Sequence, residues 1–216
     1  NPKNIHLLHF NYKYHNNADL AEERIKQISK KNNFIFKSYC LQLNRKNFEN
    51  NAREVRYKKL NQYAKAEQIK YILTAHHKDD QIETLIMKNL SNADWISYLG
   101  IRDKYNRLIR PMLSISKENI INYAKDNHLL WVEDTTNCDE SFIRNRIRFN
   151  IRNKYYSDNC INSLLSKQKV AQINIRKFNT NYNRYYKKLI LKRSYFLLFN
   201  NNILDYFRDS FLKLFL

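Results

Sequence analysis

The segment Ala75-His76-His77-Lys78-Asp79-Asp80-Gln81-Ile82-Glu83-Thr84 follows an apolar run, Tyr71-Ile72-Leu73-Thr74. It leads into Ile82, Leu85, Ile86 and Leu90, which recur at helical spacing. That order reads as a strand, a sharp polar crossing and a helix from about Lys78 to Asn89. Two histidines and three carboxylates thus gather at the carboxyl end of a strand. In open α/β sheets ligands bind at that end.

The flanking sequence repeats the pattern. Ile5 to Phe10 reads as a buried strand, and Ala18, Ala21, Ile25 and Ile28 mark one face of a helix. Phe34-Ile35-Phe36 and Tyr39-Cys40-Leu41 indicate a second strand, and Phe48, Ala52, Val55 and Tyr63 a long second helix. Strands alternating with helices argue for a parallel α/β sheet. Further on, Pro111 fixes an extended or turn conformation after Leu108-Ile109-Arg110. Ser116 is placed to cap a helix over about Lys117 to Asn127. The polar stretch Trp131 to Asp139 reads as a loop. If the next part is helical, Ile143, Ile147 and Ile151 form a buried stripe, with Arg144, Arg148 and Arg152 a parallel ridge.

Individual residues carry competing readings. Asp79 and Asp80 fit the first turn of a helix, where the dipole favours negative charge by ~0.3–1 kcal/mol. Glu83 lies three residues beyond Asp80, on the same helix face. Asp80 and Glu83 together suit an ammonium group or Mg²⁺. His76 and His77 fit either hydrogen-bonded structural roles or a site lining. The HExxH spacing of a zinc site is absent. The arginine ridge suits a solvated face, unless the acidic loop beside it forms a shared polar site.

Lys and Arg number 39 against 20 Asp and Glu, a net charge of +19. That balance fits a polyanion partner, although an AT-rich coding sequence would also enrich Asn, Lys, Ile, Tyr and Phe. Residues 151–216 hold 13 Lys and Arg against 3 Asp and Glu. Their basic residues interleave with aromatics, a composition that binds RNA or simply makes a solvated helical appendage. The three cysteines show no CxxC spacing, which fits a reducing cytoplasm. No 18-residue apolar run is present, so no membrane span is expected.

Five segments in order resemble the tRNA(Ile)-lysidine synthase family: Ala52-Arg53-x-x-Arg56-Tyr57-x-x-Leu60, the Ala75–Thr84 segment, Ile109-Arg110-Pro111-x-Leu113, Trp131-x-Glu133-Asp134-x-Thr136-Asn137-x-Asp139, and Arg144-Asn145-x-x-Arg148. The resemblance covers about residues 5–150. It implies a parallel-sheet, adenine nucleotide alpha-hydrolase-like (Rossmann-like) α/β domain over 1–150 and a helical basic, tRNA-binding appendage over 151–216. It implies ATP and Mg²⁺ as cofactors, with L-lysine and the CAU-anticodon tRNA(Ile) as partners. Lysine would be ligated to the wobble cytidine through an adenylated intermediate. By resemblance, Asp80 and Glu83 contact lysine or metal, with Asp80 the Mg²⁺ candidate, and Arg144 or Arg148 contacts phosphate or the intermediate. Asn145, His76, His77, Arg53 and Arg56 would line the nucleotide site.

One departure matters. The family's phosphate loop, Ser-Gly-Gly-x-Asp-Ser, has no counterpart, since the chain has a single glycine, Gly100. Such loops need glycine so that backbone N–H groups can wrap a phosphate. The chain begins at what resembles the family's second strand. A missing first strand should leave a gap or force unusual pairing, and the fragment alone should be inactive. Two alternatives stand beside this reading. One is a degenerate, non-catalytic RNA-binding protein. The other is a different tRNA-modifying ATP-pyrophosphatase, such as a thiolase, which usually needs CxxC cysteines. Oligomeric state is not legible.

Overall fold

A computed structural model describes residues 4–13, 17–42, 48–132, 139 and 142–181, and the backbone of 182–192. Glu133, Asp134, Thr136 and Asn137 of the expected acidic loop lie outside the described residues, as do the basic–aromatic side chains beyond residue 181. The chain divides into two units, residues 1–169 and 170–216.

The first unit alternates strand and helix. Strand β1 (His6–Asn11) pairs in parallel with β2 (Ile35–Cys40), from His6 opposite Ile35 to Asn11 opposite Cys40. Helix α1 (Ala18–Asn32) makes the crossover. Asn11, 1% exposed, locks the strand end to that helix. Its Nδ2 donates to Asp19 Oδ1 and Glu22 Oε2, both at 2.7 Å, and its Oδ1 accepts from the Lys13 amide. At the other end of α1, Asn33 takes a left-handed conformation that turns the chain into β2.

Helix α2 (Phe48–Ala66) then leads to β3 (Ile72–Leu73), which begins a second sheet. Strand β5 (Leu108–Ile109) is central in it, parallel to β3 and antiparallel to β4 (Lys104–Tyr105). Arg107 ties this sheet to α2. Its Nη1 donates to the carbonyl of Ala64 in the last turn of α2 and to that of Ile69 just beyond the helix. Among the described residues no ladder joins β1 to β3, so the strands form two separate sheets. The expectation of α/β order and parallel pairing holds within each sheet, with β4 as an antiparallel addition.

Helix α3 (Lys78–Leu90) supplies the core. Leu85 and Ile86, each 1% exposed, pack with Ile147 of α5 (Ile143–Arg152) and Leu164 of α6 (Asp158–Lys192). Ile147 and the partly buried Ile151 fulfil the expected stripe, but Ile143 is 52% exposed. It is the first residue of α5. Gln81 holds the 3-10 turn Trp95–Leu99 and its exit, because its Oε1 accepts from the Ile101 amide. Gly100 sits there at φ 63°, ψ −143°, a region open essentially to glycine alone. A Cβ at Gly100 would fall 2.7 Å from the Gln81 amide nitrogen.

Helix α4 (Lys117–Asp126) starts as expected, with Ser116 Oγ accepting from the Asn119 amide. The first compact unit ends at Lys169. The first turns of α6 belong with the first unit. Lys167 Nζ bonds Asn89 Oδ1, and Gln168 Nε2 donates to the Leu99 carbonyl. In the second unit α6 continues to Lys192, with Ala171 and Phe178 buried.

Candidate active site

Helix α3 begins at the carboxyl end of β3, and its first turn is fixed by its own acids. The Asp80 carboxylate takes the His77 amide at 2.9 Å through Oδ2, closing the helix start. Asp79 points elsewhere. Its Oδ2 accepts the Lys117 amide at 2.6 Å, so it caps the start of α4. Of two adjacent aspartates, Asp79 thus joins helices while Asp80 remains beside Glu83. The His77 ring lies 3.5 Å from Asp79 and 3.6 Å from Asp80.

Asp80 and Glu83 meet one guanidinium. Arg148 Nε donates to Glu83 Oε1 at 2.6 Å, and its Nη2 is 3.5 Å from Asp80 Oδ1. Arg148 Nη1 reaches Asn145 Oδ1 at 3.4 Å, and Asn145 Nδ2 donates to the Asp139 carbonyl at 2.8 Å. The α5 ridge therefore divides. Arg148 turns inward, whereas Arg144 lies 3.9 Å from Glu49 at the start of α2. Glu83 is 2% exposed and its Oε2 has no hydrogen-bond partner. Burial pushes its pKa up, against the opposing pull of the Arg148 hydrogen bond and charge.

A second group of charges gathers at the ends of β3 and β5. His76 Nδ1 and Thr74 Oγ1 are 2.9 Å apart. Burial lowers the His76 pKa to about 4; Asp80 opposes that shift, and Arg110, Arg53 and Arg56 add to it. Arg53 and Arg56 flank the ring of Tyr57 on α2, at 5.2 and 5.9 Å from its centroid. Arg110 is 7% exposed. The sequence reading quoted Arg110 within a motif but gave it no role. The available signal was a charged residue closing the apolar run Leu108-Ile109 before a proline.

The structure thus brings Asp80, Glu83, Asn145 and Arg148 together and keeps Arg144 at Glu49. His76 feels the opposed charges of Asp80 and of Arg110, Arg53 and Arg56. Both Asp80 oxygens are engaged, by an amide and by Arg148. No group of three or more His, Cys, Asp or Glu side chains is arranged to hold a metal among the described residues. Cys40 and Cys160 are exposed free thiols. No helix among the described residues is long and apolar enough to cross a membrane.

A model of the PP-loop domain matches residues 1–155. The chain belongs to the PP-loop domain family. This PP-loop chain is similar to the tRNA(Ile)-lysidine synthase of Treponema denticola, with 39% identity over 103 residues, which is 48% of this chain and 22% of the relative. It is also similar to the tRNA(Ile)-lysidine synthase of Campylobacter jejuni strain RM1221, with 31% identity over 157 residues, 70% of this chain and 49% of the relative. The chain therefore spans at most about half the length of these relatives. Its fold resembles that of the U34-tRNA thiolase NcsA from Methanococcus maripaludis, solved with its 4Fe-4S cluster. The TM-score is 0.56 at 12% identity, covering 77% of this chain and 61% of that one. At that identity the likeness concerns the PP-loop fold alone.

Proposed function

We propose that these residues form the carboxylate-and-arginine half of a tRNA(Ile)-lysidine synthase. The reaction would join L-lysine to the wobble cytidine of the CAU-anticodon tRNA(Ile) with consumption of ATP. The observation that carries this reading is Glu83 Oε2, buried and without a donor beside Asp80 and Arg148. Two carboxylates face one guanidinium there, and an ammonium group would supply the missing donor. The similarity to lysidine synthases makes lysine the ammonium to test first.

The chemistry then runs in two displacements. Cytosine O2 attacks the α-phosphate of ATP, an O–P bond forms and pyrophosphate leaves. The lysine ε-amine attacks C2, a C–N bond forms, the C–O bond breaks and AMP leaves. The nucleophilic amine must first give up a proton, and Asp80 or Glu83 is the acceptor within the cluster. Arg53, Arg56 and His76 would supply polar surroundings for a triphosphate, with His77 next in the chain and Asn145 reaching it from the Arg148 cluster. Mg²⁺ would offset triphosphate charge. Because both Asp80 oxygens are engaged, Asp80 fits a metal poorly, and no step is assigned to the ion.

The described residues contain no glycine-rich loop, and β1 and β3 are not joined. The wrapping of phosphate is assigned to none of the described residues. The test is incorporation of radiolabelled lysine into the tRNA by the full-length protein. There Asp80→Ala should abolish incorporation while tRNA binding persists. No incorporation by the unsubstituted protein would refute the reading. A second reading, a non-catalytic RNA-binding protein, draws on the net charge of +19. It expects tRNA binding with no incorporation.

A further inference from the structure

The arginine ridge of α5 has a third member that the carboxylate cluster leaves unused. Residues 142–157 carry five cations, Arg144, Arg146, Arg148, Arg152 and Lys154, and no carboxylate. Arg144 and Arg148 are held by Glu49, Glu83 and Asp80. Arg146, Arg152 and Lys154 are exposed, and among the described residues no carboxylate forms an ion pair with them. Arg152 follows Arg148 by about one helical turn, roughly 6 Å along the axis. It continues the ridge just beyond the cluster.

Two aromatic rings stand among these charges. Phe149 is 45% exposed and Tyr155 73% exposed, whereas the neighbouring Ile147 and Tyr156 pack in the core. The end of α5 explains the exposure of Tyr155. Lys154 takes φ 58°, its amide donates to the Ile151 carbonyl, and the Tyr155 amide donates to the Asn150 carbonyl. In such a left-handed helix stop, an apolar contact commonly joins the residue after the stop to one in the last turn. Here those residues are Tyr155 and Phe149, and among the described residues no ring contact joins them. No cation lies over either ring among the described residues. Both rings are open beside unpaired charges.

Unpaired cations would serve any polyanion. Open rings among them favour one with planar faces of its own, since bases stack on aromatic side chains while phosphates take Lys and Arg. We propose that the outward face of α5 and its terminal turn bind a single-stranded stretch of RNA, with bases stacked on Phe149 and Tyr155 and phosphates against Arg146, Arg152 and Lys154. The strand runs along the helix that carries Arg148, beside the carboxylate cluster. This deepens the lysidine reading, on which the choice of a tRNA strand rests.

The test is fluorescence anisotropy of the full-length protein with a labelled anticodon stem-loop RNA over a series of salt concentrations. Replacing Arg146, Arg152 and Lys154 together by Gln should reduce the steepness of log affinity against log salt by about 2, the loss of three single-strand phosphate contacts. Phe149→Leu and Tyr155→Leu keep the apolar bulk and lose the ring. Each should weaken binding about tenfold with the salt slope unchanged. Lys30→Gln, at an exposed site on α1, should change neither. Photocrosslinking of iodouridine-substituted RNA to the unsubstituted protein needs no variant, and the adduct should map to Phe149 or Tyr155. An unchanged slope in the triple variant, full affinity in both leucine variants, or a crosslink only outside residues 142–157 would overturn the proposal. Equal competition by polyglutamate would also overturn it, in favour of an acidic protein partner. Lysine incorporation is read separately. Its absence from the unsubstituted protein would remove the lysidine reading and leave these binding outcomes standing.

Discussion

Two groups of arginines serve one helix start in opposite ways. Arg148 comes from α5 and is held by Glu83 and Asp80. Arg110 comes from the end of β5 and has no carboxylate partner among the described residues. In the first cluster the unmet need is a donor for Glu83 Oε2; in the second it is an acceptor for Arg110 Nε. Side by side they differ in the sign of the partner each lacks.

The strongest way to break this contrast is to remove one charge from each cluster. Glu83→Ala should cost about 3 kcal/mol in denaturant unfolding, the low end for a broken buried pair, because the Arg148 side chain is 29% exposed. Arg110→Met should stay within about 1 kcal/mol of wild type in anion-free buffer, since removing an unpaired charge offsets the lost bond to Arg102. Equal losses at both sites would erase the distinction.

The pH dependence sharpens it next. The folded-state pKa of His76 is lowered from 6.5 to about 4. The neutral ring is therefore favoured by folding. Its contribution is complete above pH 6.5 and is lost as pH falls toward 4. Glu83 has the opposite sign. Its raised carboxyl pKa makes its contribution greatest at low pH, lost as pH rises through the carboxylate range. Unfolding midpoints between pH 4 and 7 should show a shallower acid-side loss in His76→Gln than in wild type. An unchanged slope would remove His76 from the second cluster.

The smallest expected effect separates neighbours in sequence. Asp79→Ala should cost about 1 kcal/mol through the lost cap on α4, with lysine incorporation by the full-length protein intact. Loss of incorporation in that variant would place Asp79 in the site.

These clusters were unequally legible in the sequence. The spacing of Asp80 and Glu83 shows that they share a helix face, and the structure places them so. The pairing of Glu83 with Arg148 crosses 65 residues and leaves no local period to read. It also distinguishes Arg148 from Arg144, which spacing treats alike. Ser116 and the start of α4 follow from capping chemistry. The hairpin of β4 and β5 was not read as strands, because two-residue strands are too short to show alternation. The gap between the two sheets is the one the resemblance implied, whereas the pairing of β3 with β5 joins distant strands, which apolar runs do not encode.

The turns of this chain also record what its composition can replace. Asn33, Asn92 and Asn106 all take positive φ, a conformation that glycine commonly serves. Asparagine tolerates that left-handed region, so a genome drifting toward asparagine codons can rewrite such turns. Gly100 combines φ 63° with ψ −143° and faces the Gln81 amide, where asparagine would be both strained and obstructed. The lone glycine therefore sits where no side chain fits, against the buried Gln81 amide of α3.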